Sequence, residues 1–224
     1  MGLAKIHFDP QLLPVEAIAG EAPLAPERLS ARWLRRRFAE APAWQPETVD
    51  ESFLLQYPRL KRAAVLVPLV ERDGVLTVLL TQRTEHLSNH AGQISFPGGR
   101  AEEFDSSPIE TALRESEEEI SLSRRNVEIV GVLPEHVTGT GYRVTPVVGL
   151  IRPPFELAAD HNEVAEIFEV PLAFLMDGTK HQRLSIDLPE GAGRRSFYAM
   201  PYERYFIWGA TAAMLRNLFH FLRA

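Results

Sequence analysis

Phe96-Pro-Gly-Gly-Arg100 leads, through a short polar stretch, to Arg114-Glu-Ser-Glu-Glu-Glu-Ile120. A glycine turn therefore feeds a helix loaded with carboxylates. Residues three and four apart share a helix face. Glu115, Glu118 and Glu119 gather on one side with Arg114 at its edge, while Glu117 points elsewhere. Carboxylates this close repel one another unless something positive sits among them. Mg²⁺ or Mn²⁺, which prefer hard oxygen ligands, suit that position. A hard cation on a few carboxylates, with coordination positions left over, is equipment for work on phosphate esters and pyrophosphates.

The helix carries its own start signals. Ser107 is placed as N-cap, Pro108 as the first helical residue, and Glu110 completes a Ser-x-x-Glu capping box. Ile109, Ala112, Leu113 and Ile120 form the apolar stripe. Ser116 interrupts that stripe, and its hydroxyl is expected to bond back to the carbonyl of Ala112. Arg124 and Arg125 follow the C-terminal end and suit the helix dipole. A triple glutamate on its own is most often a solvated patch. Here the preceding glycines let the backbone approach a ligand or metal closely, and Arg114 can hold Glu118 in a fixed pose.

The chain has 224 residues, 45% of them hydrophobic, enough for one full-sized domain with an extension, or at most two small ones. Lys and Arg number 24 against 30 Asp and Glu, a formal charge of −6. Such a chain is no general nucleic-acid binder, although local basic groups or metals can still hold an anionic substrate. The absence of cysteine excludes disulfides, a thiol nucleophile and thiolate-bound zinc. No apolar run reaches bilayer-crossing length, and the first ten residues lack a secretory signal core. The expectation is a cytoplasmic protein that spans no membrane.

Residues 1–59 read as an N-terminal extension and 60–224 as the main domain. Prolines 10, 14, 23 and 26 keep the start irregular. Pro26 to Ala41 reads as an Arg-rich helix, with Leu29, Trp33, Leu34 and Phe38 at helical spacing. Its arginines are expected on a solvated face around a stripe that docks on the domain or on a second subunit, which leaves room for a homodimer. Beyond residue 60 the pattern is α/β. Ala63–Val70 and Val75–Thr81 read as strands joined by an Asp73-Gly74 hairpin turn. Val127–Leu133, Val144–Ile151, Leu184–Leu188 and Phe197–Met200 read as further strands. Val164–Leu175 reads as a helix or turn, and Trp208–Leu222 as a final helix.

Gly99 through Arg114-Glu-Ser-Glu-Glu-Glu-Ile-Ser-Leu122 resembles the Nudix box, Gly-x5-Glu-x7-Arg-Glu-U-x-Glu-Glu-x-Gly-U, where U is a bulky aliphatic. Upstream, Leu79-Leu-Thr-Gln-Arg83-Thr and Gly92-Gln-Ile-Ser-Phe-Pro-Gly-Gly99 are similar to the signature of the coenzyme A pyrophosphatase branch. Gly141–Gly149, Glu163–Leu172 and Ile207–Ala212 also look like that branch. The resemblance spans roughly residues 60–222. Its departures are specific. Asp105 takes the place of the first box Glu, Ser116 replaces the aliphatic U, Ser121 replaces the late Gly, and Ser88 replaces a signature arginine.

The resemblance implies an α/β/α sandwich around a mixed β-sheet and a metal-dependent pyrophosphohydrolase. Its substrate would be coenzyme A or acyl-coenzyme A, cleaved to 3′,5′-ADP and 4′-phosphopantetheine. It also implies Glu115, Glu119 and Glu118 as metal ligands, with the Gly99 carbonyl completing the shell and Arg114 orienting the carboxylates. The general base is left among Glu115, Glu163 and Glu166. Arg83, His86, His90 and Arg100 surround the glycine segment and are candidates for holding phosphate groups. Two other readings stay open. One is hydrolysis of ADP-ribose or another nucleoside diphosphate derivative. The other is a silent nucleotide-binding regulatory module, which the intact Arg114, Glu115, Glu118 and Glu119 argue against.

Overall fold

The computed structural model describes residues 8–47, 59–85, 92–187 and 193–224. His86, Ser88, His90 and Leu188 lie outside the described residues. The elements run β1 (Ala17–Ile18), α1 (Ala31–Ala39), β2 (Lys61–Arg72), β3 (Val75–Arg83), β4 (Ile94–Ser95), β5 (Gly98–Arg100) and α2 (Pro108–Ile120). They continue with β6 (Val127–Val132), β7 (His136–Val137), β8 (Tyr142–Ile151), β9 (Val164–Pro171), α3 (Leu172–Leu175), β10 (Gln182–Asp187), β11 (Arg194–Tyr202), β12 (Tyr205–Trp208) and α4 (Gly209–Arg223).

β2 and β3 form the expected hairpin, with Asp73 and Gly74 both at positive φ in its turn, as a two-residue hairpin turn requires. Residues Lys61–Val70 of β2 then run parallel to the whole of β8. The main sheet has the order β4-β3-β2-β8-β6, with β5 on β2, β7 on β8 and β9 on β3. It is mixed and covered on both faces, so its central strands read as continuous apolar runs. Alternate residues of β2 separate cleanly. Ala64, Leu66 and Val70 enter a core with Ala112 and Ile120 of α2. Ala63, Val67 and Leu69 enter a larger core with Leu215, Leu218 and Phe219 of α4 and Leu34 of α1. This is the α/β/α sandwich. A smaller antiparallel sheet, β1-β10-β11-β12, lies beside it.

Two expectations need correcting. Val164–Leu175 is not a helix: it is strand β9 followed by the single turn α3. β9 pairs along the edge of β3, whose backbone groups would otherwise be left open. The N-terminal helix is also shorter than its pattern. Pro26–Leu29 is 3₁₀, Ser30 is extended, and α1 begins only where the Ser30 hydroxyl caps the amide of Trp33.

Candidate active site

α2 starts as its sequence dictates, with the Ser107 hydroxyl accepting from the Glu110 amide at 3.2 Å. The reciprocal half of the capping box does not form, because the Glu110 carboxylate accepts from Arg124 at 2.9 Å. Ser116 is fully buried and donates to the Ala112 carbonyl at 2.7 Å. That bond satisfies the one polar group in the stripe and keeps the carboxylate face in phase.

On that face Glu119 is the deepest residue, with its side chain 5% exposed. It accepts from the Gly98 amide at 3.0 Å and from Arg83 at 3.4 Å. Burial pushes its carboxyl up to about 7, reinforced by the negative charges of Glu115 and Glu163 against the pull of Gly98 and Arg83. Glu115 is half-buried and also raised, first by burial and then by Glu118 and Glu163, against the pull of Arg114. Glu118 is 60% exposed at the rim. A Cβ on Gly99 would fall 2.6 Å from the Glu115 carboxylate. Only glycine at 99 lets that carboxylate lie against the chain.

The positive charges among these acids come from the protein itself. Arg114 bonds Asp105 through two nitrogens at 3.1 and 3.0 Å, contacts Glu115 and Glu118 at 2.9 Å each, and donates to the Arg100 carbonyl at 3.1 Å. Asp105 in turn accepts from Thr111, and the Arg114 guanidinium holds its carboxyl well below the usual range. Arg83 reaches Glu119 on one side and Glu163 at 3.6 Å on the other. Among the described residues, no three His, Asp or Glu side chains are gathered closely enough to hold an ion as they stand.

Glu115, Glu119, Gly99, Arg114, Arg83 and Glu163 nevertheless border one site, with Glu118 at its rim, linked by the Arg114 and Arg83 contacts rather than as a ready-made ligand cluster. Glu166 does not. It lies on the face of β9 that carries Phe168 and Val170 into the α4-side core, and it bonds Arg204 and Tyr205. Strand alternation turns it away from α2. The Arg100 side chain is also out of line with Glu115, since Arg100 pairs with Ala63 while Gly99 pairs with Ala64. Two contributors were absent from the candidate list. Asp105 anchors Arg114, and its signal was its place in the box pattern. The Gly98 amide, which holds Glu119, had none beyond its neighbour's motif.

The mixed sheet carries a glycine turn and a carboxylate helix clamped by arginine, the arrangement that the resemblance to the Nudix box implies. The NUDIX domain model matches residues 60–185, and the chain belongs to that family as a Nudix hydrolase of nucleoside diphosphate derivatives. Among its relatives is the uncharacterized Nudix hydrolase NudL of Escherichia coli (strain SMS-3-5 / SECEC). It is 45% identical over 158 residues, which span 70% of this chain and 81% of NudL. NudL of Escherichia fergusonii matches to the same extent. Solved structures with similarity include a MutT/nudix family protein from Enterococcus faecalis, with a TM-score of 0.47, 17% identity and coverage of 84% of this chain and 73% of that one. Another is the NUDIX domain of Shewanella oneidensis NrtR complexed with ADP ribose, with a TM-score of 0.40, 22% identity and coverage of 56% and 85%.

Proposed function

We propose that this chain hydrolyses the diphosphate of coenzyme A or acyl-coenzyme A to 3′,5′-ADP and (acyl-)4′-phosphopantetheine. The observation that carries the reading is Arg83. It belongs to the Leu79–Gly99 segment that resembles the coenzyme A branch, and it reaches into the carboxylate site at Glu119 and Glu163.

The donor set fits Mg²⁺ or Mn²⁺. Glu115, Glu118, Glu119 and the Gly99 carbonyl offer oxygen alone, and the buried, mutually repelling Glu115 and Glu119 gain most from a cation. When bound there, the cation supplies charge neutralisation on the diphosphate and acidification of a water. The residues do the rest. Arg114, fixed by Asp105, holds Glu115 and Glu118 in register. Arg83 is placed for an anionic oxygen of the substrate. Glu163, at the mouth beside Arg83, is the external carboxylate placed to take the proton of the attacking water. A new phosphorus–oxygen bond forms as the bridging oxygen leaves with the electron pair. The absence of cysteine suits a cytoplasmic enzyme, and no helix of the described residues is long and apolar enough to cross a membrane.

The test is a panel of coenzyme A, acetyl-coenzyme A, ADP-ribose and NADH with Mg²⁺ or Mn²⁺, products resolved chromatographically. Coenzyme A is expected to yield 3′,5′-ADP. ADP-ribose cleaved with coenzyme A intact would replace the substrate assignment, and binding without any turnover would mark a regulatory module. Glu119→Gln is expected to lower turnover by at least about a hundredfold, with the fold retained.

A further inference from the structure

The sheet face that carries α2 holds a second arrangement, outside the carboxylate site. β2 and β8 run in parallel register with Arg62 opposite Arg143 and Ala64 opposite Thr145. Side chains alternate along each strand, so these four share a face, and Ala64 belongs to the α2-side core. Arg62, Arg143 and Thr145 line a cavity of about 480 Å³ whose opposite wall includes Asp105 and Thr111. That volume is in the range of small-molecule sites.

The charges lining this cavity match in number, Lys61, Arg62, Arg100 and Arg143 against Glu102, Glu103, Asp105 and Glu135, but they are not closely paired off with one another. Arg62 has no ion-pair partner among the described residues, and Arg143 has a loose contact with Glu135 at 3.7 Å. Asp105 is already committed to Arg114 and Thr111, while Glu102 and Glu103 are exposed at the rim. Thr145 is 9% exposed, and its hydroxyl makes no hydrogen bond among the described residues. Two exposed guanidiniums on neighbouring strands and a hydroxyl that opens into the cavity with no protein partner leave a set of donors suited to an oxyanion.

We propose that Arg62, Arg143 and Thr145 bind a phosphate monoester. The guanidiniums would donate in pairs to its oxygens, as arginine does to phosphate, and Thr145 would donate from the cavity floor. The site shares a wall with the carboxylate helix. Asp105 faces the cavity, and the Arg114 that it anchors holds Glu115 and Glu118. The phosphate comes either from the substrate, as a second phosphate beyond the scissile diphosphate, or from solution as a free ligand.

Inorganic phosphate titrated calorimetrically into the full chain, in EDTA at low ionic strength, tests the site without metal at the carboxylate helix. One saturable event is expected. It should weaken at least tenfold in Arg62→Gln and in Arg143→Gln and severalfold in Thr145→Val, and persist in Thr145→Ser and Glu119→Gln. Thr145→Ser guards against misreading a folding defect. No saturable binding to the unaltered protein, or binding indifferent to both arginine variants, overturns the proposal. A second arm identifies the source and rests on the coenzyme A reading. A KM for coenzyme A raised by Arg62→Gln, with that for its 3′-dephospho form unchanged, identifies the substrate's own phosphate. Equal KM values for the two forms, with phosphate binding intact, identify a free ligand. The calorimetric arm stands whether or not coenzyme A is turned over, so failure of the substrate assignment is distinguishable from failure of the site.

Discussion

Gly98 and Gly99 are adjacent and do different work. A Cβ on Gly98 would sit 2.5 Å from the Ala64 carbonyl oxygen and 2.5 Å from the Val65 Cα, and its φ is +151°. Both obstacles are backbone, so Gly98→Ala must push β5 off β2, at a cost of about 2 kcal/mol or more. A Cβ on Gly99 meets only the end of the Glu115 side chain. Gly99→Ala is expected to leave the denaturation midpoint within about 1 kcal/mol of the parent. Displacing Glu115 should nevertheless lower turnover by roughly ten- to a hundredfold. Denaturant midpoints and initial rates on the pair check this, and a large stability loss at 99 would show that Glu115 cannot swing aside. The Pro-Gly-Gly turn was legible as a place of close approach. Which glycine meets backbone and which meets carboxylate was not, because that depends on the register of β5 against a strand far upstream.

At the scale of the element, α2 was the most legible part of the chain, because its cap, stripe and carboxylate face are all local. Its C-terminus shows the effect of one departure from the box pattern. Ser121 adopts φ 56°, ψ 22° while its amide closes the last turn on Glu117 and Ser116. That left-handed conformation costs a non-glycine residue roughly 1–2 kcal/mol. Ser121→Gly is expected to raise stability by about 1 kcal/mol, read as a higher urea midpoint with unchanged slope and unchanged turnover. A lower midpoint would mean that the Ser121 side chain contributes something its backbone does not reveal. β9 was misread for the opposite reason. Val164-Ala-Glu-Ile-Phe-Glu-Val170 carries the alanine and glutamates of a helix, and only the edge of β3, distant in sequence, makes it a strand. Glu166 was a candidate because its segment was expected beside the site; Glu163, just ahead of β9, does reach Arg83, whereas Glu166 within β9 bonds Arg204 and Tyr205 instead.

Across the whole molecule, the N-terminal segment is held to α4 by polar groups that its sequence presented as a solvated face. Arg37 donates to the Phe221 carbonyl at 2.9 and 2.8 Å, and Arg28 to those of Leu222 and Arg223. Both cap a helix end with cations, where the dipole favours them. Beneath them Arg216, 2% exposed, bonds Glu21 at 2.9 Å and Glu47 at 2.5 Å. It also approaches the buried His181 at Nδ1, whose Nε2 lies 2.9 Å from the Leu175 carbonyl. With Nδ1 accepting from Arg216 and Nε2 donating to the carbonyl, His181 is neutral. Burial brings it down to about 4, and burial brings His136 to about 4 as well.

In the unfolded chain both histidines titrate near 6.5. As pH falls from 6.5 to 4, the unfolded state takes up protons that the folded state refuses, so stability drops by up to about 3 kcal/mol per histidine. Glu47 extends the loss. Although burial opposes its ionisation, hydrogen bonds from His220 and Arg216 bring it to about 2, and its contribution disappears as pH falls from about 4.5 toward 2. Glu119 runs the other way in chelator, since a carboxyl raised to about 7 loses its contribution as pH rises through 7. Urea midpoints measured in EDTA should therefore peak near neutrality and fall steeply between pH 6.5 and 4, with that limb flattened in a His136→Gln/His181→Gln double variant. Arg216→Ala, which leaves Glu21 and Glu47 without their shared cation, should cost about 3–5 kcal/mol at pH 7 and lower the midpoint throughout. A profile flat from pH 6.5 to 4 in the unaltered protein would mean that the two buried histidines accept protons in the folded state, which the Arg216 contact to His181 forbids.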